Sequence, residues 1–353
     1  MAKLSPSPRN ILVRMPNWIG DAVMAMPVLH DLKSQWKDAS LTVLCRSNMR
    51  EIFESSPYVD KTLSFPSSSR FLYFPFGNEL FRFVRGSRYD LGILLTNSFS
   101  SAYFFCLSGV KNRVGFRGNF RNAFLDKPVS FPPDKEKMHL VSVYKELLKK
   151  IGVSISPTLP ELHVENSERE KAERILEENG WEKSKTLVGI NPGAAYGSAK
   201  CWLPERFKAL TKKILENPHI HVVYFGDKKG KPLVDEICKD ISSRAINLAA
   251  QTSVSELAAL IERCSLFLSN DSGPMHLASA IGTPLIALFG STNEVKTGPC
   301  SQGIVIHKHV DCSPCYERVC PKDFRCMKNI SVSEVYQEMK KLLPSIALKG
   351  EME

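Results

Sequence analysis

Long hydrophobic runs are missing from this sequence of 353 residues: no apolar stretch approaches the roughly 18 residues that a membrane-spanning helix needs. The first ten residues, MAKLSPSPRN, contain no apolar region of the kind a signal peptide carries. No short-period repeat is visible. A hydrophobic fraction of 43% is nevertheless ordinary for a globular chain and too high for a disordered one. We therefore expect a folded protein that stays in the cytoplasm and has room for two domains.

Acidic residues are the scarcer charged class, with 37 Asp and Glu against 47 Lys and Arg, so the formal net charge is +10. Such a balance favours anionic partners, which include nucleic acid, an acidic membrane surface and phosphorylated substrates. Aromatic residues are not interleaved with Lys and Arg in a recognisable nucleic-acid-binding motif. We therefore expect no nucleic-acid partner, although a basic nucleic-acid-binding protein is kept as a distant alternative.

Both halves of the chain alternate between short buried-strand patterns and helical patterns, which is typical of a parallel α/β sheet. The composition shifts near residue 154, where the polar, proline-containing stretch SISPTLPELHVENSERE reads as a connection between domains. The sequence predicts an N-terminal domain over residues 1–160, a C-terminal domain over 161–330, and a final helix and tail over 331–353. We expect the ligand to lie between the two domains, and the tail to pack back on the N-terminal domain.

Individual elements follow from the same patterns. Helices are predicted over residues 21–36, 138–151 and 253–264, and the last opens with the capping box Ser253 to Glu256. The basic segment 111–121 reads as a loop, and the Phe-, Ser- and Pro-rich segment 64–77 reads as irregular.

Small and cap-forming residues follow a predicted strand in the stretch SNDSGPMHLASAIGTPLIALFG, residues 269–290. In a parallel sheet this places residues 270–273 at the carboxyl edge, where ligands bind. Pro274 suits the first turn of the next helix, whose free N–H groups and positive dipole end are ready for a phosphate. His276 lies in the same turn. The plainer alternative is that Asp271 or Ser272 only caps the helix and His276 only packs.

A second strand end carries the loop NPGAAYGSAKCW, residues 191–202. The loop is rich in Gly and Ala, it contains Lys200, and Pro204 opens the helix that follows. Two such loops and a lysine on strand ends of one domain suit a nucleoside diphosphate. Taken alone, Lys200 is more often a solvated surface lysine.

The third stretch is PNWIGD, residues 16–21, which opens the first helix of the N-terminal domain. Asp21 is favoured there simply as a partner of the helix dipole. The functional interpretation is a carboxylate that faces the inter-domain cleft and acts as general base.

Five stretches in register resemble the heptosyltransferases of glycosyltransferase family 9, over roughly residues 11–299: PNWIGD, TNSFSSA, RVGFRG, NPGAAYGSAKCW and NDSGPMHLASA. The resemblance implies the α/β fold class GT-B, with two Rossmann-like parallel-sheet domains that face a cleft. The wording of TNSFSSA and NPGAAYGSAK is similar to the type II enzymes. Types I and III, or another family 9 sugar transferase, remain alternatives, as does a regulatory nucleotide-sugar sensor that would not need Asp21.

The resemblance also implies the reaction, an inverting transfer of L-glycero-D-manno-heptose from ADP-heptose to the first heptose of the lipopolysaccharide inner core. Asp21 matches the catalytic base and Lys200 the lysine that stabilises the leaving phosphate. No cofactor or catalytic metal is implied, because the lysine and the helix terminus supply the positive field. The donor-binding residues implied are Asn191, Gly193, Ala194, Asp271, Ser272, Gly273, Met275 and His276.

The acceptor implied is a lipid A core that carries Kdo and heptose, held by the N-terminal domain. Arg113, Arg117 and Arg121 would meet its carboxylates or phosphates; the alternative is a solvated basic loop. Asn97 and Ser98, just beyond a strand end, are further acceptor contacts. The aromatic residues 71–76 and Phe81 are assigned to the lipid side or, more simply, to the core. The basic charge predicts peripheral contact with the anionic inner face of the inner membrane.

Four of the ten cysteines fall within fifteen residues, at Cys312, Cys315, Cys320 and Cys326. Such a cluster, with His307 and His309 upstream, is a candidate for a structural zinc or iron–sulfur site. The alternatives are reduced thiols or a disulfide. Because the cluster follows the predicted catalytic loops, we expect it to lie outside them and to fasten the tail.

Overall fold

The computed structural model describes residues 7–66, 78–301 and 303–343. The chain divides into two compact units, Met1–His163 and Val164–Glu353. The predicted boundary after residue 160 falls three residues before this division. The aromatic residues 71–76, which were assigned to lipid or core, lie outside the described residues.

The first unit is built on a parallel sheet of six strands with helices between them. Its strands are β1 (Asn10–Arg14), β2 (Ser40–Arg46), β3 (Lys61–Phe65), β4 (Leu91–Leu94), β5 (Arg113–Phe116) and β6 (Lys127–Val129). Its helices are α1 (Ile19–Met24), α2 (Met26–Gln35), α3 (Arg50–Glu54), α4 (Glu79–Ser87), α5 (Phe99–Leu107) and α6 (Leu140–Lys149). The strand order is β3-β2-β1-β4-β5-β6.

The second unit repeats this plan. Its strands are β7 (Thr186–Asn191), β8 (Ile220–Tyr224), β9 (Ala245–Asn247), β10 (Leu266–Asn270), β11 (Leu285–Phe289) and β12 (Gly303–His307). Its helices are α7 (Asn166–Glu178), α8 (Pro204–Ile214), α9 (Lys231–Cys238), α10 (Val254–Arg263), α11 (Gly273–Ile281), α12 (Glu294–Thr297), α13 (Arg325–Lys328) and α14 (Val332–Leu342). The strand order is β12-β11-β10-β7-β8-β9.

Both sheets have the strand order of a doubly wound, Rossmann-like fold, in which the order reverses between the first and fourth strands of the unit. The pairs at this switch point are β1 with β4 and β7 with β10, and both pairs are parallel. Ligands bind in such folds outside the carboxyl ends of the strands at the switch point. The sequence stretches singled out above follow these four strands.

Close packing at the switch point requires a glycine in each sheet. A Cβ on Gly189 of β7 would lie 2.6 Å from the Phe267 ring, and one on Gly92 of β4 would lie 2.7 Å from Val110. Neither neighbour is at the end of a long flexible side chain, so a larger residue would displace a packed core. Each unit has a buried hydrophobic cluster of its own.

The three predicted helices are present, but one of them is divided into two. The segment predicted as one helix over 21–36 is two helices, α1 and α2, separated at Ala25. Pro27 lies in the first turn of α2, where its missing N–H breaks no helical hydrogen bond. The capping box of α10 is present, with Ser253 and Glu256 each accepting from the backbone N–H of the other.

The basic segment 111–121, predicted as a loop, contains the strand β5. This prediction was wrong because β5 is short and carries arginine and glycine, which hide the strand pattern. Phe65 of the segment predicted as irregular ends β3, and Phe81 is buried in the core of the first unit.

The final helix α14 belongs to the second unit. It begins after Ser331, whose side chain accepts from Glu334 N, and its residues Val335, Tyr336 and Met339 join the core of that unit. The predicted contact of the tail with the N-terminal domain stays a prediction. Within the described ranges no helix is long and apolar enough to cross a membrane.

Candidate active site

The loops after β7 and β10 are joined by side-chain hydrogen bonds. Asn191, the last residue of β7, donates from Nδ2 to the carbonyl of Gly193 at 2.9 Å and to Ser272 Oγ at 3.1 Å. The hydroxyls of Ser269 and Ser272 lie 2.9 Å apart. Asn191 therefore joins the two predicted donor loops and fixes them relative to each other. The sequence alone did not predict this structural role.

Asn270, the last residue of β10, makes a second connection between the same loops. Its Nδ2 donates to the carbonyl of Pro192 at 2.6 Å, and its Oδ1 accepts from the backbone N–H of Trp202 at 3.0 Å. The side chain of Asn270 is fully buried. Asn270 was predicted to lie at the sheet edge but without a role of its own, although its position at a strand end was a signal.

Lys200 and Asp271 form an ion pair at this edge. Lys200 Nζ lies 2.5 Å from Asp271 Oδ2, and the side chains are only 13% and 4% exposed. Thr292, after β11, donates its hydroxyl to the same carboxylate oxygen at 2.6 Å. Lys200 is thus not the solvated surface lysine of the plainer interpretation.

This arrangement changes the role of Asp271, which was predicted to contact the donor. A carboxylate repels a diphosphate, and the Oδ2 atom of Asp271 already accepts from Lys200 and Thr292. Asp271 is therefore better described as a residue that positions Lys200. Thr292 was missed by the sequence analysis, although it follows a third strand end in a run of small polar residues.

Helix α11 begins at Gly273, directly after the loop. Ser272 is its N-cap residue but makes no side-chain hydrogen bond to the first turn, and Pro274 lies in that turn. Ser272 therefore does not cap the first-turn N–H groups, which lie at the positive end of the helix dipole. Met275 and His276 are 0% and 4% exposed, so both are buried inside the unit. Their predicted contact with the donor stays a prediction.

Open space lies above Gly193. A Cβ built on Gly193 would have no atom within 4 Å, so packing does not require a glycine there. Ala194 is half-buried beside it. The loop therefore leaves room for a ligand next to the start of α11.

The cysteine-containing segment was expected to lie outside the catalytic loops, but it lies against the donor loop of residues 191–202. Tyr196 donates its hydroxyl to the carbonyl of Tyr316 at 2.6 Å, and Ala199 N donates to the carbonyl of Arg318 at 3.0 Å. A Cβ on Gly197 would lie 2.2 Å from the same Arg318 oxygen, which explains the glycine. The sequence could not show this contact, because it joins residues more than a hundred positions apart.

The four clustered cysteines are free thiols, with Cys315 exposed and Cys326 buried. Burial raises the pKa of Cys326 above its usual value, and the charges of the other three thiols add to the shift. Among the described residues, the thiols do not form a group of three with ligand atoms within 4.8 Å of one another. A metal held by Cys312, Cys315, Cys320 and Cys326 would need this segment to rearrange, and it stays a prediction.

Asp21 and a buried arginine stand on either side of the loop after β1. Asp21 lies half-buried in the first turn of α1, and its charge adds to burial in raising the pKa of Tyr144 well above the usual value. Arg14, the last residue of β1, is fully buried and donates to Asn17 Oδ1 at 2.5 Å. Burial lowers the pKa of Arg14 to about 9. The hydrogen bond from Arg14 thus fixes the loop that leads to Asp21.

Arg121 has a structural position rather than the predicted contact with an acceptor. Its side chain is fully buried. It donates to the carbonyls of Phe116 and Thr96 and, at 2.9 Å, to Asn97 Oδ1. Ser98 is the N-cap of α5, where it accepts from Ser101 N. These bonds hold the ends of β4 and β5 together, and they leave Arg121 no exposed donor for a ligand.

Arg113 is also held by the protein. It pairs with Asp126 at 2.9 Å and donates to the backbone carbonyls of Phe124 and Val110. Arg117 is exposed, and its side chain donates from Nε to the carbonyl of Pro128 at 3.1 Å. Of the three predicted arginines, Arg117 is the one available to a ligand.

The loop after Arg117 presents an aromatic side chain that the sequence analysis missed. Phe120 is 96% exposed. Asn119 and Phe120 both have positive φ angles, 49° and 56°, which are uncommon for residues other than glycine. Asn119 donates to the carbonyl of Asn97 at 2.7 Å, which ties this loop to the end of β4.

Comparison with known proteins assigns the chain to a family. The profile of glycosyltransferase family 9 (heptosyltransferase) matches residues 78–324. The chain belongs to glycosyltransferase family 9. The matched range includes TNSFSSA, RVGFRG and both donor loops, so the resemblance carried by these motifs is confirmed.

Individual members of family 9 resemble most of the chain. A lipopolysaccharide heptosyltransferase 2 from Salmonella typhimurium is 30% identical over 302 residues, which cover 82% of this chain and 85% of that protein. A lipopolysaccharide heptosyltransferase 3 from Escherichia coli is 25% identical, with 92% and 97% covered.

A solved structure of a family 9 enzyme has the same fold. The E. coli ADP-heptose lipopolysaccharide heptosyltransferase II matches with a TM-score of 0.81 at 26% identity, over 95% of this chain and 98% of that chain. The predicted GT-B class with two Rossmann-like parallel-sheet domains is confirmed.

Proposed function

We propose that this family 9 glycosyltransferase moves heptose from ADP-heptose to the first heptose of the lipopolysaccharide inner core, with inversion at the anomeric carbon. The observation that carries the proposal is the largely buried Lys200, which pairs with Asp271 at the switch point of the second sheet, where Thr292 donates to the same carboxylate. Relatives named heptosyltransferase 2 support the type of acceptor.

The donor diphosphate is assigned to the open space above Gly193 and to the first turn of α11. At the start of α11, the backbone N–H groups and the positive end of the helix dipole favour the binding of an anion. As the sugar–phosphate bond breaks, negative charge grows on the departing ADP, and Lys200 is the positioned cation that stabilises it. One such preorganised donor is typically worth about 3 kcal/mol in the transition state.

Acceptor activation is assigned to Asp21. A carboxylate in the first turn of α1, after the first strand of its sheet, accepts the proton of the acceptor hydroxyl as that oxygen attacks the sugar. Arg117 and Phe120, exposed on the same loop, are the proposed contacts for an anionic sugar and its ring face. The amide of Asn97 already accepts a hydrogen bond from Arg121, so Asn97 is assigned only a supporting role in acceptor binding.

The deciding experiment is a transfer assay with ADP-heptose and two purified acceptors, one ending in Kdo and one already carrying the first heptose. Transfer only to the heptose-bearing acceptor supports the proposal, whereas transfer to the Kdo-ending acceptor means a type I reaction. Asp21→Asn should keep ADP binding and lose turnover. Normal turnover in the Asp21→Asn variant would show that Asp21 is not the base. If the unchanged protein binds the donor but transfers sugar to neither acceptor, the result would favour a nucleotide-sugar sensor.

Catalysis is proposed to need no metal ion, because Lys200 and the start of α11 supply the positive field. Transfer should therefore continue at an unchanged kcat in excess EDTA, assayed well below the temperature at which the protein unfolds. A loss that Mg²⁺ restores would contradict this part of the proposal.

The place of action is part of the same proposal: the cytoplasm, with peripheral contact at the inner face of the inner membrane. The net charge of +10 supports attraction to an anionic lipid surface. Co-sedimentation with vesicles of anionic lipid, weakened by salt, is the expected result, and equal binding to neutral vesicles would oppose it.

A further inference from the structure

Three metal-binding side chains converge beside the last two strands of the second sheet. Glu294 lies at the start of α12, His307 is the last residue of β12, and His309 follows it. One ligand atom from each lies within 4.8 Å of the others. Glu294 uses both oxygens: Oε2 is 2.7 Å from His307 Nδ1, and Oε1 is 3.4 Å from His309 Nε2.

The protonation of His307 follows from its other neighbour. Ser313 donates its single hydroxyl hydrogen to the carbonyl of Gly290. Ser313 Oγ must then accept at 2.8 Å from His307 Nε2, which therefore carries a hydrogen. In a neutral imidazole this leaves Nδ1 as a lone pair, directed at the Glu294 carboxylate.

His307 Nδ1 therefore faces one oxygen of the Glu294 carboxylate at 2.7 Å. His309 Nε2 approaches the other oxygen at 3.4 Å although its side chain is 71% exposed, so three potential ligand groups meet at one place. A hydrogen bond on the far nitrogen of a histidine is how metal-binding imidazoles are commonly oriented.

We propose that Glu294, His307 and His309 bind one divalent transition-metal ion of the Zn²⁺ class. Two imidazoles and a carboxylate are a ligand set that suits zinc, with a water completing the coordination. This site is separate from the cysteine cluster and does not depend on the proposed reaction. The metal would join α12 to β12, next to the loop from which Thr292 donates to Asp271.

The test measures metal binding directly. Full-length protein is stripped with a chelator and titrated with Zn²⁺ or Co²⁺, and bound metal is counted per chain. His309→Gln, on an exposed side chain, should fold normally and weaken binding at this site by at least tenfold. Ser313→Ala should weaken it by about 10- to 100-fold, as loss of an orienting hydrogen bond typically does.

His163→Gln is the matched control, because His163 is exposed, lies 4.0 Å from Glu161, and belongs to no group of three ligand residues within the described part of the chain. This variant should bind metal as the unchanged protein does. Co²⁺ also separates the sites, since thiolate ligands add a charge-transfer absorption that imidazole and carboxylate ligands lack. The proposal is overturned if metal binds equally well to His309→Gln, if the only bound Co²⁺ shows thiolate absorption that Cys315→Ser removes, or if no metal binds.

Discussion

At the scale of single residues, the donor site depends on how Lys200 is held. Its ammonium group is nearly buried and shares a carboxylate with Thr292, so its side chain does not have to be ordered when the substrate binds. Preorganised charge of this kind contributes more to a transition state than a flexible surface lysine does.

Replacing Lys200 with Gln should lower kcat by about a hundred- to a thousandfold, with a smaller effect on ADP binding. The reason is that the charge on the departing diphosphate is largest in the transition state. Lys212→Gln, on the exposed side of α8, is the control and should behave like the unchanged enzyme. Steady-state kinetics give the answer, and a Lys200→Gln enzyme within twofold of normal kcat would contradict the assignment.

Gly193 allows a test of where the donor lies. Gly193→Ala adds a methyl group to empty space, so the free energy of unfolding should change by less than about 1 kcal/mol. If ADP occupies that space, its Kd should rise roughly tenfold, because overpacking typically costs about 1–3 kcal/mol. Calorimetric titration with ADP measures the change.

Gly197→Ala is the comparison for this variant. Its Cβ would overlap the carbonyl of Arg318, so it should destabilise the unit. Unchanged ADP affinity in a well-folded Gly193→Ala protein would place the donor elsewhere.

At the scale of elements, the connection from β5 to β6 contains one arginine that stabilises the fold and another that is proposed to bind the acceptor. Arg121 satisfies backbone carbonyls at the ends of β4 and β5, and its burial lowers its pKa to about 10. Arg121→Ala should reduce the free energy of unfolding by about 2–4 kcal/mol, since each buried carbonyl left unpaired costs about 1–3 kcal/mol. Urea denaturation measures this loss.

Arg117→Ala is the matched change on the same connection. It should leave the urea midpoint unchanged and raise KM for the acceptor roughly tenfold, because a hydrogen bond to a charged group is worth about 1.5 kcal/mol or more. The reverse pattern, a stable Arg121→Ala and an unstable Arg117→Ala, would mean that the two roles are exchanged.

The sequence predicted the elements whose signal is local. The capping box of α10 and the strand ends, predicted at Ile190 and Ser269 and found one residue later, depend on residues within a few positions of one another. The short strand β5 and the burial of Arg121 depend on carbonyls brought together from distant parts of the chain, which periodicity cannot show. For the same reason, three arginines were predicted as acceptor contacts although only Arg117 among them is exposed.

At the scale of the whole molecule, each unit is a complete layer structure with its own sheet and core. The described contacts of Lys200, Asp271, Asn191 and Thr292 all lie within the second unit. The proposed base, Asp21, belongs to the first unit. Donor binding and acceptor activation are therefore assigned to different folding units.

Residues 164–353 alone should therefore fold and bind ADP with a Kd within about tenfold of that of the whole chain, a difference of about 1.4 kcal/mol. A domain of this size buries roughly 70% of the surface that its unfolded chain exposes, enough for a stable core. The fragment should transfer no sugar, because it lacks Asp21, and residues 1–163 should bind no ADP. Circular dichroism establishes folding and calorimetry the affinity; a folded fragment that fails to bind ADP would mean that the first unit supplies essential donor contacts.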